Sequence, residues 1–182
     1  MKYLLRRKKK MKKIKILGVT SILVLSGILV GAGTTIASCP CECTCPCRWT
    51  GGGSVWNASQ RVTHGFELHC NDDQLPNNLE VNWGGNHFHL DVLTHVICGN
   101  RSDIDPTPPA APCDKIYGEG EGKFNGVSGY HVVFYFTDAG EPGKNDHAEI
   151  TIYAPDGKIV LEVDGNLKSG NQQAHRVTGH DA

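Results

Sequence analysis

The 182-residue sequence predicts an all-β protein, an antiparallel β-sandwich of seven or eight strands behind an N-terminal signal or anchor segment. Three observations carry this. From Val62 to Asp164 apolar and polar residues alternate with period two in one segment after another, the spacing that sends successive side chains to opposite faces of a strand. After Trp49 no apolar pattern with the 3.6-residue period of a helix is sustained. Gly-, Asn- and Pro-rich breaks separate the segments at short intervals, as in two-layered antiparallel folds. A composition of 39% hydrophobic and 20% charged residues suits a chain that buries a core.

Three stretches follow in order: residues 1–38, a signal peptide or membrane anchor; residues 39–49, a Cys-rich tether; and residues 50–182, the β domain. The first holds nine of the 18 Lys and Arg and none of the 19 Asp and Glu. An uncharged apolar run of 23 residues, Ile16 to Ser38, follows its basic start, which is the layout of a secretory signal and is also long enough to span a bilayer. Ile36-Ala37-Ser38-Cys39 resembles a bacterial lipobox, which makes Cys39 the candidate lipidation site. Lipidation at Cys39, plain cleavage near Ser38 and a retained anchor all place the remainder outside the cytoplasm, with the membrane as partner of the N-terminus. The remainder carries a net charge of −10, which repels phosphate backbones and argues against nucleic acid as a partner.

The tether contains Cys39, Cys41, Cys43, Cys45 and Cys47 in strict alternation. Pro40 and Pro46 keep it out of a helix, and a bond between Cys residues two apart closes a strained ring. Cys41, Cys43, Cys45 and Cys47 are therefore a candidate soft-ligand set for zinc or copper, although paired zinc cysteines are normally separated by two or more residues. A crosslinked tether is the other reading. The disulfide candidates of the body are Cys70, Cys98 and Cys113. Cys70 and Cys98 each end a strand-like segment and form the favoured pair, with Cys113 free or joined to the tether.

Trp49 to Ser54 reads as a flexible glycine-rich lead-in. Val62, His64, Phe66, Leu68 and Cys70 then share an inward face, and Leu79, Val81 and Trp83 resume it after a turn. From His87 to Cys98 the alternation puts Phe88, Leu90, Val92, Thr94, Val96 and Cys98 on one face, and His87, His89, Asp91, Leu93, His95 and Ile97 on the other. A stiff Pro-rich loop runs from Gly99 to Pro112. Gly118, Gly120 and Gly122 share a strand face, where a backbone or a flat aromatic ring can come close. Asn125-Gly126 marks a hairpin into Tyr130–Thr137, which is bulky on both faces and therefore central. Pro155-Asp156-Gly157 joins the last two strands of the series.

Two clusters carry candidate metal chemistry. His87, His89 and Asp91 project two residues apart from one strand face, and imidazole with carboxylate suits zinc or copper once a neighbouring strand adds a ligand such as His69 or His131. The other reading is a solvated face. Asp138, Glu141, Asn145 and Asp146 supply oxygens in a glycine-containing loop of the kind that takes calcium, or that simply forms an acidic hairpin tip. No nucleophile elbow is present, and Glu119 and Glu121 alone do not make a glycosidase, so no catalytic residue is assigned. The expectation is a binding or structural role, with a surface protein or glycan as ligand.

The ordered set Thr50-Gly-Gly-Gly53, His64-Gly-Phe66, Asn86-His-Phe-His89, Gly118-Glu-Gly120, Asn125-Gly126 and Thr137-Asp138 resembles an uncharacterised accessory domain of secreted bacterial and archaeal surface proteins. Asp146, the Pro155–Val163 hairpin and Gly170-Asn171 to His175 extend the likeness, which covers about residues 50–175. The resemblance implies an all-β module outside the cell and brings no catalytic or ligand residues with it.

Overall fold

The computed structural model describes residues 47–104 and 111–176. The signal or anchor segment and Cys39, Cys41, Cys43 and Cys45 lie outside the described residues. Those described are all-β and antiparallel: β1 (Cys47–Asn57), β2 (Gln60–His69), β3 (Asn78–Trp83), β4 (Asn86–Gly99), β5 (Lys115–Phe124), β6 (Val127–Thr137), β7 (His147–Tyr153), β8 (Ile159–Asn166) and β9 (Ser169–Arg176). They form one nine-stranded sheet in the order β8-β7-β6-β5-β4-β3-β2-β1-β9, a meander whose last strand crosses to pair with the first. This differs from the expected sandwich of seven or eight strands: there are nine, and hydrogen bonding runs unbroken through a single sheet curled into a half-barrel.

The curl brings distant strands face to face. Phe66 of β2 stacks on Phe136 of β6 at 4.6 Å between ring centroids, although three strands separate them in the sheet. The inner surface is apolar, with Trp49, Val62, Leu68, Leu79, Val81, Phe88, Phe136, Ile150 and Ile152 all fully buried. Two local devices permit the curvature. The inner face of β5 is glycine at 118, 120 and 122, and its neighbours fill the space. A Cβ on Gly118 would stand 2.2 Å from Phe134 Cζ, and one on Gly122 would stand 2.6 Å from Phe88 Cζ, which is the close aromatic approach expected there. In β4, register shifts at Leu90/Val92 and Leu93/His95 insert bulges. These reverse the predicted alternation, so that Leu93 is buried while Val92 is half-exposed.

Two-residue turns set the register. Gly84-Gly85 joins Trp83 to Asn86 with φ of 52° and 82°, and Asn125-Gly126 joins Phe124 to Val127 with φ of 49° and 83°. The segment read as a flexible lead-in is β1, an interior strand paired with β2 on one side and β9 on the other. Its glycines are steric necessities: a Cβ on Gly51 would fall 2.3 Å from Asn171 O, and one on Gly52 would fall 2.3 Å from His64 O. At the open edge β8 reaches back to β1, where Asn57 Nδ2 donates to Glu162 O at 2.6 Å.

The described cysteines pair as Cys70–Cys98 and Cys47–Cys113. The first is the favoured pair, and the second joins Cys113 to the last cysteine of the tether.

Candidate functional site

The outer face of β3 to β8 collects the polar side chains that alternate with the core residues. Register places Glu80 beside His89, which in turn faces Lys123; Glu121 beside His131, which in turn faces Tyr153; and Tyr117 beside Tyr135, which in turn faces Glu149. Histidines and carboxylates meet in pairs along this face. His131 lies 3.2 Å from Glu121 and 3.6 Å from Glu119, and His147 lies 2.8 Å from Asp164.

His87 and His89 project on the same side of β4, as expected, but the group between them is the carboxylate of Glu80. One of its oxygens pairs with His87 Nε2, and the other lies 2.5 Å from His89 Nδ1. Asp91 Oδ1 is engaged by Lys123 Nζ at 2.7 Å and stands 3.9 Å from His89 Nε2. Neither candidate cross-strand ligand joins the pair. His69 is buried, with Nδ1 3.0 Å from Pro76 O, and His131 is two strands away on β6. Glu80 was the residue missed by sequence reasoning, yet a signal for it exists: a two-residue turn at Gly84-Gly85 pairs Trp83 with Asn86 and hence Glu80 with His89.

Further along the face Tyr117, Val133, Tyr135, Glu149 and Thr151 line a depression of about 140 Å³. Small-molecule sites usually enclose about 300–1,000 Å³, so this hollow suits one ring or side chain of a ligand that extends over the sheet. The Tyr117 hydroxyl donates to Glu119, and this bond, with partial burial, pushes the phenol up to about 12.

The predicted oxygen-ligand loop sits between β6 and β7. Asp138 accepts from the backbone N–H groups of Gly140 and Ala174, Glu141 from the amides of Asn171 and Gln173, and Asp146 from the N–H groups of Ala139 and Gln172, all at 2.6–3.0 Å. Asn145 ends the 3₁₀ turn Gly143–Asn145 and is exposed. The three carboxylates thus clamp β9 to the loop, which gives that polar strand its position. Burial raises Asp146 to about 6, assisted by the negative charges of Asp138 and Glu141.

Behind this clamp lies a buried polar link. Gln172 accepts from His64 Nε2–H at 2.9 Å and donates to the carbonyls of Thr137 (2.9 Å) and His147 (3.1 Å). His64 packs against the stacked pair Phe66 and Phe136, its Nδ1 has no partner, and burial depresses its pKa to about 4.

Comparison with protein-family models, with curated proteins and with solved structures found no match. Among the described residues, one set of three or more His, Cys, Asp or Glu has its ligand atoms within 4.8 Å of one another: Cys47, Cys70 and Cys113. Of the predicted tether ligands only Cys47 falls in the described residues, and there it is bonded to Cys113.

Proposed function

We propose that this protein is an exported β module, held at the membrane by a lipidated Cys39, whose role at the cell surface is binding or structural. The observation that supports it best is the pairing of all four cysteines of the described residues in two buried disulfides, because such bonds persist in oxidising compartments. The basic start and apolar run of residues 1–38, and the resemblance to accessory domains of secreted surface proteins, point the same way. The single curled sheet closes over one apolar core. Its working surface is the outer face of β4–β7, where tyrosines and His–carboxylate pairs offer stacking, donors and acceptors to a surface glycan or protein.

Mass spectrometry of the mature chain from a membrane fraction tests the reading. The expected result is a diacylglyceryl group on an N-terminal Cys39, with disulfide-linked peptides Cys47–Cys113 and Cys70–Cys98. An intact leader on a cytosolic chain with reduced thiols would overturn it.

A further inference from the structure

We infer that the four disulfide-bonded cysteines form a zinc site when the chain is reduced: Cys47, Cys70, Cys98 and Cys113 take one Zn²⁺ as a tetrathiolate. This does not rest on the export reading. An oxidised, exported chain carries the site closed.

The sulfurs of Cys47, Cys70 and Cys113 already lie within 4.8 Å of one another, and Cys98 Sγ is bonded to that of Cys70. A tetrahedral zinc with bonds of about 2.3 Å needs sulfurs about 3.8 Å apart. The bonded pairs must open and the unbonded ones draw in, both by side-chain rotation. The backbones hold still for independent reasons. Cys70 N–H donates to Cys47 O at 3.0 Å, the register places Cys98 opposite Ile116, and Asp114 N–H donates to Gly99 O at 2.9 Å. None of these bonds is lost with the disulfides, so the sheet keeps the four residues together. All four cysteines are at most 4% exposed. Buried thiols stay protonated until a metal displaces the protons, and a site with no water-accessible face suits a closed four-sulfur structural zinc.

The chemistry balances in two steps. Two equivalents of a dithiol reduce the two disulfides to four thiols, each dithiol becoming its own disulfide. The four thiols then bind one Zn²⁺ and release four protons.

The experiment uses the full chain in detergent, reduced anaerobically, loaded with Zn²⁺ or Co²⁺ and freed of excess metal. The expected result is one zinc per chain, released on titration of the thiols with a mercurial, and a cobalt spectrum with the thiolate charge-transfer and tetrahedral bands of four sulfurs. Replacing Cys39, Cys41, Cys43 and Cys45 together by Ser leaves the stoichiometry at one, whereas Cys98→Ser or Cys113→Ser abolishes it. Should those two variants unfold, the tether variant and its cobalt spectrum decide alone. No zinc on the reduced chain, zinc lost with the tether cysteines, or a cobalt spectrum with fewer than four sulfurs would each overturn the inference.

Discussion

His64 and Asp146 are buried, oppositely shifted titrating groups joined through one residue, Gln172, whose side chain bonds His64 and whose backbone N–H bonds Asp146. Each makes stability depend on pH, and the two dependences oppose each other. For His64 the folded pKa of about 4 lies below the ordinary histidine value of 6.5. The unfolded chain therefore binds the extra proton, and stability is lost as pH falls from 6.5 towards 4, by about 3 kcal/mol in all. For Asp146 the folded pKa of about 6 lies above the ordinary aspartate value of 3.8. The folded chain binds the extra proton, and stability is gained as pH falls from 6 towards 4, again by about 3 kcal/mol. The charged groups around Asp146 are Asp138 and Glu141, while Phe66, Phe136 and Gln172 surround His64. Near pH 5 the two proton differences cancel. His64→Leu leaves the aspartate alone, and its stability should climb relative to wild type by about 1.1 kcal/mol for each unit of acidification between pH 6 and 4.5; Asp146→Asn should fall by about 1 kcal/mol per unit. Guanidinium unfolding at half-unit intervals measures this. The remaining carboxylates contribute one background to every variant, and any fixed cost of the substitutions is independent of pH, so the difference in slope is the readout. Slopes parallel to wild type within about 0.3 kcal/mol per unit would refute the opposed-pair account, as would two variants departing in the same direction.

Other consequences can be measured on the same purified protein. Gly118→Ala puts a methyl 2.2 Å from the Phe134 ring and should cost about 1–3 kcal/mol; the double variant with Phe134→Leu should recover at least about 1 kcal/mol of the summed single costs, and strict additivity would remove the packing explanation. Removing Cys70–Cys98 by paired Ser substitutions should lower stability under non-reducing conditions by roughly 3–4 kcal/mol, and removing Cys47–Cys113 by roughly 4–5 kcal/mol, since the second closes the longer loop, 66 against 28 residues of separation. Glu80→Ala should change unfolding free energy by less than about 1 kcal/mol, because all three members of the His87–Glu80–His89 group are more than a third exposed; a larger loss would show that the group organises the sheet and is more than a surface feature.

The strands that burial specifies were legible in the sequence, and those that main-chain geometry specifies were not. Leu79, Val81 and Trp83, or Ala148, Ile150 and Ile152, announce an inward face because each second residue has apolar surface to hide. Strand β4 defeated the same rule midway. A period-two reading cannot register an inserted residue, and two bulges exchanged Val92 for Leu93 in the core. The Gly-rich stretch of β1 carries no periodic signal, since its requirement is the absence of side chains between the carbonyls of His64 and Asn171. Glycine runs read as flexible when the neighbours that demand them are distant in sequence.

Strand β9 shows how the missing strand and the acidic loop are one feature. Its segment Ser169–Arg176 has a single fully buried residue, Gln172, and no apolar alternation, so hydrophobic patterning cannot place it. Asp138, Glu141 and Asp146 place it instead, by accepting from the backbone of Gln172 and Ala174 and the amides of Asn171 and Gln173. Read alone, those carboxylates suggest a cation; read with β9, their oxygens already hold N–H donors. Any calcium bound there would have to displace hydrogen bonds that fix the ninth strand, so metal affinity at the loop and attachment of β9 oppose one another. Hydrogen exchange at the Gln172 and Ala174 amides, followed during a calcium titration, exposes that competition: exchange should be unchanged if the loop serves only β9, and should accelerate if the ion takes Asp138 and Asp146 away from it.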